Sequence, residues 1–511
     1  MTAMTDTAGA RRPSVMAGLG ITVLALAFAL AILAVGTKAL VALIGALVFV
    51  LMLRNPMVGL YVTTALLLLS GTGSNIGAFA GGVPVTGAKL VGIATIAAWL
   101  LNALTTGKRF YTGTPVVLAL VFTGWAAVGI ALSLAWRAQW PEWTRLLTVV
   151  GYFILAIHLL NTRERIHRFV VLILVCGAAM SAFAVAQYFV PALQAGGVSG
   201  IQSIAGGGEF AYVDPEGLSS GAAVRVSGLT GHSNWLAFAL LLMLPLNVYW
   251  FSTVKSLRAK LFISLCALLE IAALVLTFTR LGLLVGVLVA VALVVKGLVH
   301  VNPYRIVALA VVLVFGWVLL PGAYKERVLD FSGYSGSEST SARLELQEYA
   351  WQYMRDFPTA GIGLGGFGLK FYDENSRYSA MLRWMNKELG WNPVYYGPHN
   401  MYLQVGSEAG AVGLFLMILM MLVALKNAQK SQRLFKEAGD SNMALLAGTV
   451  FVSLIAFVCC AVFLHALHQK IWWMVMALSA ALPLYAATLK SPAKNGANGN
   501  SANGAAPAAQ P

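Results

Sequence analysis

The stretch LFISLCALLEIAALVLTFTRLGLLVGVLVAVALVVKGLV, residues 261–299, decides the fold. It holds two apolar runs, each near the roughly 20 residues an α-helix needs to cross the hydrocarbon of a bilayer. The join between them, FTRLG, leaves almost no loop. Helices turned back on each other through lipid satisfy this pattern, because a helix bonds its backbone polar groups within itself. Glu270, in mid-run, and Arg280, in the join, are out of keeping with it. An arginine held there costs on the order of 3 kcal/mol unless it is paired, hydrated or reaching the headgroups. Arg280 therefore reads as an anion site, with an interfacial anchor as the plainer alternative. Glu270 is a candidate functional residue for the same reason, unless a buried hydrogen-bonding partner satisfies it.

Working outward, the pattern repeats. The chain has 511 residues, 59% hydrophobic and only 10% charged, which is more apolar surface than a water-soluble fold of this length can hide. Runs near 15–36, 38–53, 57–72, 88–104, 114–136, 144–161 and 168–190 precede the quoted stretch, together with one near 233–253. Runs near 304–321, 400–425, 443–465 and 470–489 follow it. The expected fold is all-α, a polytopic transmembrane helical bundle of about 12 to 14 spans with a large, mostly helical periplasmic loop. The chain divides into a cytoplasmic tail (1–14), N-terminal transmembrane helices (15–190), a catalytic region (191–425) containing the loop 322–398, C-terminal helices (426–490) and a tail (491–511) whose composition predicts disorder.

With both termini in the cytoplasm, the inside loops TTGKRFYTG, NTRERIHR, KSLRAK, KGLVHVNPYR and KNAQKSQRLFK are all basic, as the positive-inside rule asks. The formal charge of +15 thus reflects membrane topology. No nucleic-acid partner is expected, because no basic stripe is interleaved with aromatics. The run after Arg11 and Arg12 is too long for a signal-peptide core and no small-residue cleavage site follows it, so it reads as an uncleaved first span. The four cysteines, Cys176, Cys266, Cys459 and Cys460, all lie in apolar runs without metal-ligand spacing, so neither a disulfide nor a zinc site is expected.

Two outside segments are long, Pro191 to His232 and 322–398, and long loops usually carry function. In the second, SARLELQEYAWQYMRDFP predicts a helix capped by Ser341 and stopped by Pro358, followed by the glycine-rich turn GIGLGGFG. Arg225 precedes the run starting near 233, and His399 follows Pro398 at the start of the run near 400. Alternation of the spans puts both on the same outer surface as Arg280. Arg225, with Asn234 and neighbouring glycines, suits close approach of a ligand. His399 can accept a proton as a neutral imidazole, although a helix cap is the plainer role. Glu408 falls more than two turns deeper on the same helix and reads as structural. Asp214 and Glu216 have the D-x-E spacing of metal-dependent sugar transfer, a weak match on its own.

Four motifs occur in order: RVSGLTGHSNWLAF (225–238), LTFTRLG (276–282), SARLELQEYAWQYMRDFPTAGIGLGGF (341–367) and PHNMYLQVGSEAGAVGLFL (398–416). Together they resemble the O-antigen ligase and O-antigen polymerase superfamily of bacterial membrane glycan ligases, roughly from Arg225 to Leu416. The earlier spans match only in being hydrophobic, and the chain has more such runs than the family pattern, plus the Ala/Asn-rich tail. The resemblance implies an inverting glycosyltransferase of the bacterial inner membrane. It would pass a glycan from undecaprenyl diphosphate to a hydroxyl of lipid A-core, a glycan or a protein, on the periplasmic face and with no metal, nucleotide sugar or other cofactor. Arg225 and Arg280 then correspond to the diphosphate-binding arginines, and His399 to the histidine that deprotonates or positions the acceptor. Arg343, heading the loop helix, and Asn234 and Asn400 are further candidate substrate contacts. Sibling activities are a polysaccharide polymerase and a protein O-oligosaccharyltransferase. From other classes, a transporter or flippase would use Glu270 and the arginines as a path, and a metal-dependent transferase would use Asp214 and Glu216.

Overall fold

A computed structural model describes residues 37–69, 75–79, 83–107, 110–190, 225–299, 338–374 and 397–489, with Leu193, Asn302 and Lys325. The spans expected near 15–36 and 304–321, both tails, and Asp214 and Glu216 lie outside the described residues. The helices are α1 (Thr37–Arg54), α2 (Pro56–Leu69), α3 (Gly87–Thr106), α4 (Thr114–Ala131), α5 (Trp136–Leu159), α6 (Arg163–Phe189), α7 (Ser233–Thr253), α8 (Leu257–Leu276) and α9 (Arg280–Val295). They continue with α10 (Glu338–Asp356), α11 (Gly366–Glu374), α12 (Met401–Glu437), α13 (Ser441–Cys460) and α14 (Lys470–Leu489). Between α2 and α3 a short antiparallel hairpin pairs β1 (Asn75–Phe79) with β2 (Val83–Thr86). Among the described residues nine helices, α3 to α8 and α12 to α14, are long and apolar enough to cross a membrane, and α2 and α9 are shorter apolar helices. Apart from that hairpin the regular structure of the described residues is all helical, and its apolar spans are those of a membrane protein.

The spans carry apolar side chains all round, because lipid takes the place of water on their outer faces. Leu261, Leu265 and Leu268 of α8 and Val287, Val291 and Val295 of α9 are exposed in rows at helical spacing, a surface that would aggregate in water. Helices α7, α13 and α14 are buried along most of their length and form the centre. There Trp472 stacks on Phe457 with ring centroids 4.5 Å apart, and the Ser453 hydroxyl donates to the Leu242 carbonyl at 2.8 Å across the α7–α13 contact. A small residue lets polar groups meet in this core. A Cβ at Gly177 of α6 would stand 3.0 Å from the carboxylate of Glu270 on α8, so the two helices pack closely there.

Several boundaries differ from the sequence reading. Helix α5 begins at Trp136 rather than near 144, because Gln139 and Glu142, which interrupt the apolar run, are buried with polar partners. Helix α12 runs on to Glu437, since the basic loop KNAQKSQRLFK is built of good helix formers and continues the helix. The loop helix α10 stops before Pro358 as expected. It starts at Glu338, however, so Ser341 lies inside the helix and is not its cap. Leu346, Ala350 and Tyr353 of α10 pack with Phe367 and Phe371 of α11 into a separate small core that rests on Leu403 of α12.

The loop helices are fastened to the bundle through a break in α12. Gly410 has φ 67 and ψ −173 inside that helix, a conformation essentially restricted to glycine. The segment 358–366 lies in the break. Ala411 N donates to Pro358 O at 2.7 Å, Ile362 N donates to Ser407 O at 3.0 Å, and the Trp125 indole donates to Ala409 O at 2.9 Å. Gly361, also left-handed, sits so close that a Cβ there would overlap the Glu408 carbonyl carbon. Substituting Gly410→Ala adds backbone strain of roughly 1 to 3 kcal/mol and overlaps the Thr359 carbonyl. A clear drop in thermal midpoint is expected in detergent or nanodiscs. Gly124→Ala in α4, where nothing lies within 4 Å of the added carbon, should leave the midpoint unchanged or slightly higher. Equal behaviour of the two variants would refute this account of the break.

Candidate functional site

The segment from Arg225 to His232 is laid against the ends of three helices. Val226 N donates to the Leu276 carbonyl at 3.2 Å, which ties the segment to the last turn of α8. From the other side the buried Gln187 of α6 accepts from Ser227 N at 3.1 Å and Gly228 N at 3.0 Å through one oxygen. Arg225 is thereby held half-buried: its Nε donates to Thr277 O at 3.2 Å and its Nη2 to Asn234 Oδ1 at 3.2 Å. His232 then caps α7, its Nδ1 accepting from Asn234 N at 3.1 Å.

The turn between α8 and α9 consists of Thr277, Phe278 and Thr279. Phe278 is buried with φ 49, a left-handed conformation that a bulky residue adopts only where its surroundings hold it. The hydroxyls of Thr277 and Thr279 lie 3.1 Å apart, and Thr279 caps α9 by accepting from Gly282 N at 3.1 Å. Arg280 is the first residue of α9 and exposed, and no acidic side chain sits in that first turn. A cation at the positive end of a helix dipole is unfavourable for the helix itself, and it concentrates positive potential where an anion would bind. Thr277, which receives Arg225, is three residues from Arg280, so the two motifs share one turn.

His399 stands on the other side. It too is left-handed, at φ 50. Asn400 caps α12 through Oδ1, which accepts from Tyr402 N at 3.0 Å and Leu403 N at 3.1 Å. Met401 N donates to Ala461 O at 2.8 Å and fixes this corner to the end of α13. The His399 ring meets the His465 ring edge to face at 5.1 Å, and His465 in turn meets Trp235 at 5.3 Å. Trp235 follows Asn234, the acceptor for Arg225. A continuous path of contacts thus joins Arg225, Asn234, Trp235, His465 and His399 at one end of the bundle, with Arg280 on the adjoining turn. Arg343 is exposed on α10, one turn before Leu346, and none of the contacts on this path passes through it.

Glu270 and Glu408 are both buried and hydrogen-bonded. The fully buried Glu270 accepts from Asn247 Nδ2 at 2.7 Å through one oxygen, the buried partner that the plainer reading asks for, while its other oxygen meets no donor among the described residues. Glu408 accepts from Phe367 N at 3.3 Å and from Gln404 Nε2 at 3.4 Å, and so holds the start of α11 over the break in α12. All four cysteines are free thiols. Among the described residues no three His, Cys, Asp or Glu side chains gather as a metal site would need.

His465 and His468 are not among the residues that the sequence singles out. Their signal is the pattern HALHQK at the junction of two apolar runs, on the same side as His399 by alternation of the spans. His468 lies behind His465. Its Nδ1 is 3.3 Å from Glu142 Oε2, while Arg145 Nη1 is 2.7 Å from the other oxygen of that carboxylate. Burial pushes the His468 imidazole down to about 4, although Glu142 pulls the other way.

Residues 262–418 match the family model described as O-antigen ligase. The match supports the resemblance read from the motifs and contains Arg280, Arg343 and His399. Arg225 and His465 lie outside it. Comparison with curated proteins gives no match.

The His468 environment makes a pH-dependent contribution to stability. The unfolded chain takes up a proton below about 6.5, whereas the folded one resists until about 4. The contribution is present above 6.5 and is lost as pH falls towards 4. His468→Gln keeps an amide facing Glu142, Arg145 and His465 and removes the titration. Its thermal midpoint in nanodiscs should fall less between pH 7 and pH 4.5 than that of the wild type. An equal fall in both would show that His468 is not the group responsible.

Proposed function

We propose that the chain is a membrane glycosyltransferase that moves a glycan from undecaprenyl diphosphate to a hydroxyl acceptor, with the end of the bundle holding Arg225, Arg280 and His399 facing the periplasm. The observation that carries this reading is the contact path from Arg225 through Trp235 and His465 to His399. It joins a cationic corner to an imidazole, the two kinds of group that this transfer uses. The family match over 262–418 supports the reaction class.

In the reaction the acceptor oxygen attacks the anomeric carbon of the glycan from the face opposite the diphosphate. The bond from that carbon to the phosphate oxygen breaks, and its electron pair leaves with the diphosphate. The configuration inverts, and the acceptor proton passes to His399. Negative charge builds on the leaving group as the bond lengthens, so guanidiniums fixed beside it stabilise the transition state more than the bound substrate. Arginine suits the task because its planar fork meets phosphate oxygens in pairs and never loses its proton. His399 removes the proton that makes the acceptor hydroxyl a poor nucleophile. Both termini are then cytoplasmic and the membrane is the bacterial inner membrane, in line with the basic loops on that side.

The test is transfer in membranes carrying normal levels of each variant. Arg225→Ala, Arg280→Ala and His399→Ala are each expected to lower glycan attachment by about 100-fold or more, the usual loss when a charge stabiliser or general base is removed. Wild-type attachment by all three variants would sink the proposal. The acceptor class is read from the polysaccharide of a strain lacking the chain. Unattached lipid-linked polymer marks a ligase, and single repeat units mark a polymerase.

A further inference from the structure

We infer that His465 is a positioning residue of this site, whose ring holds His399 in the orientation that accepts the acceptor proton. The inference rests on the function proposed above and adds a residue from outside the family-matched region. His399 has a strained left-handed backbone, and such a residue keeps one conformation only when its neighbours over-determine it. His465 is one neighbour placed to do so. Its ring lies edge to face against His399 at 5.1 Å and is braced from another side by Trp235 at 5.3 Å and 89°. Gly397, two residues before His399, makes room: a Cβ there would stand 2.9 Å from the His465 ring.

The turn that carries His465 is itself rigid. The indole N–H groups of the fully buried Trp472 and Trp473 both donate to Leu467 O, at 3.1 and 2.9 Å, and Gln469 N donates to Ala466 O at 3.1 Å. The pairing of His468 with Glu142 fastens the same turn to α5. A side chain presented by such a turn has little freedom, which is the condition for orienting a catalytic group to within a fraction of an ångström. No bond to substrate is asked of His465; it acts through His399.

The experiment uses the full chain in nanodiscs, with lipid-linked glycan and acceptor extracted from a strain that lacks it. His465→Ala is expected to lower kcat about 10- to 100-fold, the scale of a misplaced catalytic group, with the KM for the lipid-linked donor within about twofold. Gly397→Ala pushes the ring aside without deleting it and is expected to show the same split. The double variant His399→Ala/His465→Ala should be no slower than His399→Ala alone, because a residue that works through another has no further effect once that one is gone. A wild-type kcat for His465→Ala overturns the inference, as does a double variant whose loss is the product of the two single losses. Full activity of His399→Ala would instead remove the underlying reading, whatever His465 does.

Discussion

At Gly410 a membrane helix gives up its own hydrogen-bond ladder, and the rest of the outer architecture depends on how the exposed groups are satisfied. Inside a bilayer a broken helix is tolerated only where protein supplies the missing partners. Here the supply comes from the middle of the outer loop, between α10 and α11. The Pro358 carbonyl and the Ile362 amide take the groups of Ala411 and Ser407, and the Trp125 indole takes that of Ala409. A Cβ would not fit where Gly361, Gly363 and Gly366 meet Glu408 and Gln139, which is why four of the nine strap residues are glycine. Gln139 of α5 closes the far side by donating to Ile362 O at 2.9 Å. The break is therefore a socket, and α10 and α11 are anchored by it over the start of α12.

Anchoring at the break bears on the site because the first turns of α12 lie between the two. His399 and Asn400 stand at the head of that helix, and Leu403, on its next turn, receives the core of the outer loop. The same short helical segment is thus clamped below by the glycine strap, above by the bond from Met401 to Ala461, and outward by the loop core. Strain is concentrated at two bulky residues, Phe278 and His399, both left-handed and each in one of the two motifs that meet here. Such conformations persist where packing insists on them, and in this bundle they mark the two corners from which Arg280 and the imidazole are presented.

The fold is legible in the sequence wherever a segment's fate is set by its own composition. Uniform apolar runs form helices, and Pro358 stops α10. Reading fails where distant partners decide. Gln139 and Glu142 look like loop residues until Ile362, Arg145 and His468 are seen beside them. Ser341 fits a cap by type, but α10 starts a turn earlier. The pairing of β1 with β2 is not legible because the stretch between two apolar runs carries no strong alternation. For the site, Arg225, Arg280 and His399 can be picked out by residue type beside a span end. Their connection cannot, since it runs through Trp235 and His465, which are far apart in the chain and lie within apolar surroundings.

The electrostatics of the cationic corner follow from how Arg225 is aimed. Thr277 O and Asn234 Oδ1, a backbone carbonyl and an amide oxygen, are neutral acceptors, and each fixes one nitrogen of the guanidinium. A carboxylate in either place would bind the arginine more tightly and weaken the field that an anionic ligand would feel. The contrast within this molecule is Arg145, whose partner Glu142 is a buried carboxylate that also faces His468; that arginine serves a structural junction. Arg280 reaches the same end by another route. It stands at the head of α9, where the amides of the first turn add to its charge and that turn holds no acidic residue. On the proposed function, one arginine aimed by these acceptors and another at a helix head would offer an anionic leaving group guanidiniums that are already oriented. Such preorganisation, more than the number of charges, is what lets a field favour a transition state over the substrate.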